Sequence, residues 1–338
     1  MTNAPRVTVA GAGVLGLTTA LALADVGCAV TVADPGGPNA SSIAAGMIAP
    51  VFEAVLDETA RPHLDLLMTA RDLWPGLAQR AGIALERSGA MAVGDEPFLA
   101  RVAAGFSAAQ VRPTEIGGAT AQALAPGLSE TFELGLLTRE DWRVDAPTAM
   151  SALTRVAIEA GVAFERRVVR SRGDADVLVI ATGAKAGFAD LAPELALLNP
   201  IKGHIVRVAA ACAGATVRGE GAYAAPGSGM AFGATMEPGA SDAAVDETKA
   251  VPLLAAGLRL FPGLRGAPIQ FAAGVRAATA DGLPMVGASE ASGVMLATGS
   301  RRNGWLLAPL VATVIAAQVT GHDVGPLAAR LDPARFRR

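Results

Sequence analysis

The chain has 338 residues, 51% of them apolar and 17% charged, with 28 Lys+Arg against 31 Asp+Glu. That balance excludes a disordered chain and gives no basic field to hold nucleic acid, so no nucleic-acid partner is expected. Cys28 and Cys212 are too few for a disulfide framework, and with His63, His204 and His322 scattered along the chain no metal or His-based triad is expected.

Length alone suggests about two structural units. The first element is a β-branched run, Val7-Thr8-Val9-Ala10, which ends at Gly11-Ala12-Gly13-Val14-Leu15-Gly16 and continues with helical spacing from Leu17 to Val26. Gly27 closes that helix, Ala29 to Ala33 reads as a second strand, and Asp34 stands at its end. This is the order a dinucleotide site needs. Gly11 permits the tight turn, Gly13 lets backbone approach a pyrophosphate, Gly16 allows close helix packing, and Asp34 can accept the ribose hydroxyls. An apolar run behind Arg6 also has the outline of a secretory signal, but the glycine spacing favours strand, turn and helix, and a cytoplasmic protein is expected.

Ser41-Ser42-Ile43-Ala44-Ala45-Gly46-Met47-Ile48-Ala49-Pro50 is a run of mostly small residues able to lie against phosphates or a flat ring. Pro113 to Gly127 reads as a surface connection. Asp145-Ala146-Pro147 precedes a helix from Thr148 to Ala160. Gly161 to Phe164 and Val168-Val169 then read as strands, and Asp176 to Ala184 as a buried strand running into a glycine turn. Pro200-Ile201-Lys202-Gly203-His204, the sole tyrosine Tyr223, and Phe232 to Gly239 follow. Last come Gly274 to Gly287, a strand from Val294 to Thr298, and Arg302-Asn303-Gly304-Trp305-Leu306-Leu307-Ala308-Pro309. The uncharged stretch from Asn303 to Gly321 is long enough to span a bilayer, but Pro309, Thr313, Gln318 and Thr320, with Trp305 at one end only, favour a buried helix. Nothing repeats at a fixed period.

These motifs, in this order from Val7 to about Gly321, resemble the D-amino-acid oxidase superfamily of flavoproteins, and within it the glycine oxidase branch of thiazole biosynthesis. The resemblance implies an α/β fold with a discontinuous Rossmann-type FAD-binding domain (1–84, 145–200 and 274–338) and a second, mixed β-sheet substrate domain (85–144 and 201–273). It implies FAD at Gly11, Gly13, Gly16, Asp34, Ser41, Ser42, Ala45, Gly46, Met47, Val169, Thr182, Gly183, Arg302, Asn303 and Gly304. No cysteine follows Cys212, so the FAD is expected to be noncovalent. Two positions depart from the family pattern: Ala277 stands where a proline is usual, and Gly221 where relatives often have histidine.

Arg276, Tyr223 and Arg302 are the candidate catalytic residues. A planar guanidinium at Arg276 can clamp a carboxylate through two hydrogen bonds and Tyr223 can add a hydroxyl, while a structural ion pair between Arg276 and Asp281 is the alternative. His204 reads as structural. The activity implied is oxidation of glycine or another small amino acid with molecular oxygen as acceptor, giving imine, then glyoxylate and ammonia, with hydrogen peroxide. The alternatives are a D-amino-acid dehydrogenase that reduces quinone, or a non-catalytic FAD-binding protein. A homo-oligomer and a thiazole synthase partner are compatible with the resemblance.

Overall fold

The structure, a computed structural model, describes residues 4–185 and 187–337. Two sheets organise it. The first has six strands in the order Met285–Ala288, Val294–Thr298, Val177–Ile180, Arg6–Ala10, Ala29–Ala33 and Ala163–Glu165. All its pairings are parallel except that of Met285–Ala288 with Val294–Thr298. Val7, Val9, Val30 and Val32 are buried between covering helices, as near-continuous apolar strands of a parallel sheet require. The helix Val14–Asp25 packs against Gly304–Thr320, which is buried along most of its length. Pro309 lies inside that second helix and cannot donate to the carbonyl of Trp305, which accepts the Trp74 indole N–H instead at 3.0 Å. No helix among the described residues is long and apolar enough to cross a membrane.

The second sheet has nine strands. Glu237–Pro238, Asn199–Val208, Met230–Gly233, Ala222–Pro226, Thr216–Gly219, Ala90–Val93, Leu134–Thr138 and Thr114–Gly117 follow one another, and Ile269–Ala278 pairs along the full length of Asn199–Val208. Strand alternation gives this sheet two faces with different work. Val206, Val217, Ala224 and Phe232 point to one side and form a core with the helix Glu247–Leu260. Ile205, Ala225 and Ala231 point to the other side and meet Ala45 and Met47 of the first unit. Arg207 fastens this junction, donating to the carbonyls of Ile43 (3.0 Å) and Ala44 (2.9 Å).

Three sequence expectations change. Val168-Val169 is not a strand: Ala163–Glu165 is already the sheet edge, and Val169 is buried with Ala10, Ala33 and Leu178 instead of joining a ladder. The supposed connection from Pro113 to Gly127 contains the edge strand Thr114–Gly117 and the helix Gly118–Leu124, whose Ala121 is fully buried. The boundary drawn at 273/274 cuts through Ile269–Ala278, a single strand of the nine-stranded sheet.

Candidate active site

The glycine turn lies at the carboxyl end of Arg6–Ala10. Gly11 has φ +108°, and a Cβ on Gly16 would stand 1.9 Å from the Gly11 carbonyl oxygen, so the helix Val14–Asp25 can start only where this residue has no side chain. The helices Val14–Asp25 and Gly304–Thr320 begin side by side, a Cβ on Gly304 falling 3.7 Å from Val14 Cγ1, and neither Gly13 nor Asn303 caps its helix with a side chain. Two helix starts at one place, neither capped by its own N-cap side chain, concentrate amide donors and positive dipole. Ser41 braces the gap: its hydroxyl accepts the Val14 amide (3.0 Å), and its carbonyl accepts the Trp305 indole (3.1 Å).

Asp34 accepts the amides of Ala12 (2.8 Å) and Gly36 (2.6 Å), so its carboxylate holds the glycine turn itself, and each oxygen has a further lone pair for a ribose hydroxyl. Ser42 forms a capping box with Asn39, which commits its hydroxyl locally. At Gly46, φ is +71° and a Cβ would lie 2.1 Å from the Val144 carbonyl oxygen, which presses the Ala45-Gly46-Met47 backbone onto its neighbour. Thr182 Oγ1, beside Gly183 at the end of the Val177–Ile180 strand, is buried without a partner among the described residues. A glycine cradle, two adjoining helix starts and an orphaned hydroxyl fit a dinucleotide of the FAD type.

The opposite wall is the inner face of the nine-stranded sheet. Register puts Arg218 opposite Tyr223, Tyr223 opposite Gly233, Gly233 opposite Ile205, and Gly203 opposite Gly274, two residues before Arg276. Glycines on this face make room for side chains to lie flat. A Cβ on Gly203 would stand 2.2 Å from Arg276 Nη1, and one on Gly233 would stand 2.1 Å from Tyr223 Cζ. Arg276 Nη1 donates to the Thr235 carbonyl at 3.3 Å and has no carboxylate partner among the described residues. The alternative partner is taken, because Asp281 pairs with Arg335 at 2.8 Å. Burial raises the pKa of the Tyr223 phenol despite the opposing charges of Arg276 and Arg218, so the hydroxyl remains a donor at neutral pH.

Arg302 reaches the same region but in a different state. It pairs with Glu53 (2.8 Å) and Asp57 (2.9 Å), and Arg301 also pairs with Asp57. Glu53 is the leading cause of the raised pKa at Arg302. The arrangement ties Arg302 to the helix Pro50–Leu56 and not to an open pocket wall. The amino end of that helix is held by Asp141, fully buried, whose oxygens accept the amides of Val51 (2.8 Å) and Phe52 (3.0 Å). Burial pushes the Asp141 carboxyl up to about 6, against the charge of Arg218 and those two amides. His204 is on the outer face of the sheet. Its Nε2 accepts the Asp246 amide (2.9 Å), which leaves Nδ1–H to donate to Glu237 (2.9 Å) in a structural role.

Sequence reasoning missed Glu53, Asp57, Asp141 and Arg218. The i, i+4 spacing of Glu53 and Asp57 was a usable signal for a pair of carboxylates on one helix face. Nothing local marked Asp141 or Arg218. Gly221 has φ +81° in the turn before Ala222–Pro226, a backbone that a histidine would adopt only with strain.

Residues 6–318 match the family model described as FAD dependent oxidoreductase. A bifunctional protein ThiO/ThiG from Trichormus variabilis is 30% identical over 98% of this chain, but the chain spans 55% of that protein's length. Glycine oxidase from Pseudomonas aeruginosa is 28% identical over 98% of both chains. The crystal structure of glycine oxidase from Geobacillus kaustophilus superposes with a TM-score of 0.80 at 27% identity, covering 99% of this chain and 100% of that one. With the glycine turn, the flanking sheet and nearly the whole chain in agreement, the protein belongs to the DAO family of FAD-dependent oxidoreductases.

Proposed function

We propose that the protein oxidises glycine or another small amino acid to its imine, which water converts to glyoxylate or the matching oxo acid and ammonia, while molecular oxygen is reduced to hydrogen peroxide. The observation that carries this reading is the Arg276 guanidinium, which has no carboxylate partner among the described residues and lies beside Tyr223 on the sheet face turned towards Ala45 and Met47. An unpaired, largely buried cation of this shape suits a carboxylate received in one fixed orientation.

The residues divide the work. Arg276 binds the carboxylate through two parallel hydrogen bonds, and the Tyr223 hydroxyl donates a third. Ile205, Ala45 and Met47 form an apolar wall that keeps water from the carbon bearing the amine. The substrate ammonium releases its proton to solvent before oxidation, so no histidine base is required. The oxidising power for that carbon would come from bound FAD, as a two-electron acceptor. The Gly11–Gly16 turn, Asp34, Ser41, Gly46, Thr182 and the helix start at Gly304 would hold it, with Val169 and Gly183 at the end of the sheet.

The names of the ThiO/ThiG and glycine oxidase relatives support two further proposals: that the imine supplies thiazole formation for thiamine, and that a thiazole synthase is a partner. A homo-oligomer is proposed from the sequence resemblance alone. The test is anaerobic. Glycine, sarcosine and D-amino acids are added to the yellow holoenzyme, bleaching is recorded, and oxygen is readmitted. Bleaching by a small amino acid followed by recovery with peroxide formation is expected. A flavin that no amino acid bleaches overturns the proposal.

A further inference from the structure

Arg218 sits beside Tyr223 on the inner sheet face in a way that one carboxylate does not explain. Its residue is only 8% exposed, and its Nε and Nη2 are buried without hydrogen-bond partners among the described residues. Its Cζ lies 5.4 Å from the ring centre of Phe52 and 5.6 Å from that of Tyr223, contacts that orient a guanidinium but leave its donors unused. The nearby acids are engaged elsewhere, Glu53 with Arg302 and Asp141 with the amides of Val51 and Phe52. An arginine buried with free donors is costly unless an anion arrives to use them.

We infer that Arg218 receives a second anionic group on the substrate, so that the preferred substrate is an amino acid carrying two carboxylates. The inference rests on the reading that Arg276 binds the first. The sheet supplies the spacing: Arg276 lies over Gly203, Tyr223 over Gly233 on the adjacent strand, and Arg218 on the far side of Tyr223. At about 4.8 Å per strand the two guanidinium groups are on the order of 10–15 Å apart, a span that two carboxylates joined by a short chain fill with a hydrogen-bonded contact at each end. Tyr223 lies between the two cations, and both of their charges act on it.

Calorimetric titration of the FAD-loaded protein with diglycolate and with methoxyacetate, ethers that differ by one carboxylate, tests this without turnover. Wild-type protein is expected to bind diglycolate roughly 10- to 100-fold more tightly, from the magnitude of a charged hydrogen-bonded pair. In Arg218→Met that ratio should fall to near one. Arg218→Lys, which keeps the charge but loses the fork, should give an intermediate ratio and serves if the methionine variant does not hold FAD. A wild-type ratio near one, or a ratio unchanged in either variant, overturns the inference. Glycine bleaching, measured in parallel, separates the two readings. A dicarboxylate preference that depends on Arg218 in a protein that no amino acid bleaches would retire the oxidase and leave this site, whereas bleaching without the preference would do the reverse.

Discussion

Two pairs of arginines border the candidate active site, and they differ in what neutralises them. Arg301 and Arg302 are met by Glu53 of the helix Pro50–Leu56 and by Asp57, the residue that ends it. Arg276 and Arg218, on the nine-stranded sheet, have no carboxylate within salt-bridge distance among the described residues, although Arg218 is buried and Arg276 is partly so. The comparison separates two uses of the same side chain. A paired arginine fixes one element to another. An unpaired buried one costs stability and persists where an external anion completes it.

The largest effect on stability is expected where the paired region is broken. Glu53→Gln removes a carboxylate from a buried ion pair and leaves Arg302 with Asp57 alone, which should lower the unfolding free energy by about 3 kcal/mol. Chemical denaturation of the holoenzyme measures it, and an unchanged midpoint would place Arg302 among the free cations and dissolve the contrast.

A smaller effect concerns Asp141, which anchors the same helix. Its folded pKa of about 6 lies above its ordinary value of 3.8. Between those values the folded protein keeps a proton that the unfolded chain has lost, so this group's contribution to stability declines as pH rises through the window and is level above it. Relative to Asp141→Asn, wild-type protein should be less stable at pH 7.5 than at pH 4.5 by about 2 kcal/mol. A difference that does not move with pH would mean the carboxyl titrates normally.

The smallest effect is at Tyr223, between the two free cations. Tyr223→Phe removes one hydroxyl from a buried site and should reduce kcat/KM by about fivefold, equivalent to about 1 kcal/mol. Steady-state peroxide assays with the amino acid that bleaches the flavin would record it, and an unaltered kcat/KM would show that the hydroxyl points away from the substrate.

How far each region could be read from the chain follows from the range of its contacts. The Gly11–Gly16 turn and Asp34 belong to one strand, turn, helix and strand, so spacing alone exposed them. Asn303 to Gly321 was legible as a buried helix for the same local reason. The inner face of the second sheet is assembled by pairing residues far apart in sequence, such as Ile201 with Arg276 and Arg218 with Ala92. Arg276 and Tyr223 were named through family motifs, while Arg218, outside any motif, needed the register to bring it opposite Tyr223. The work of Gly203 and Gly233 was equally hidden, because what they clear is a side chain reaching across from another strand.

The central claim is that Arg276 is free in order to hold the substrate carboxylate, and Arg276→Met tests it most directly. With the amino acid that bleaches the wild-type flavin, kcat/KM is measured by peroxide release alongside FAD content and melting temperature. Loss of a hydrogen-bonded charge partner at about 2–5 kcal/mol predicts a fall of roughly thirty- to several thousand-fold, expressed mainly in KM, with FAD still bound and the fold intact. A variant that keeps the wild-type kcat/KM would contradict the account and move the substrate site away from this face of the sheet.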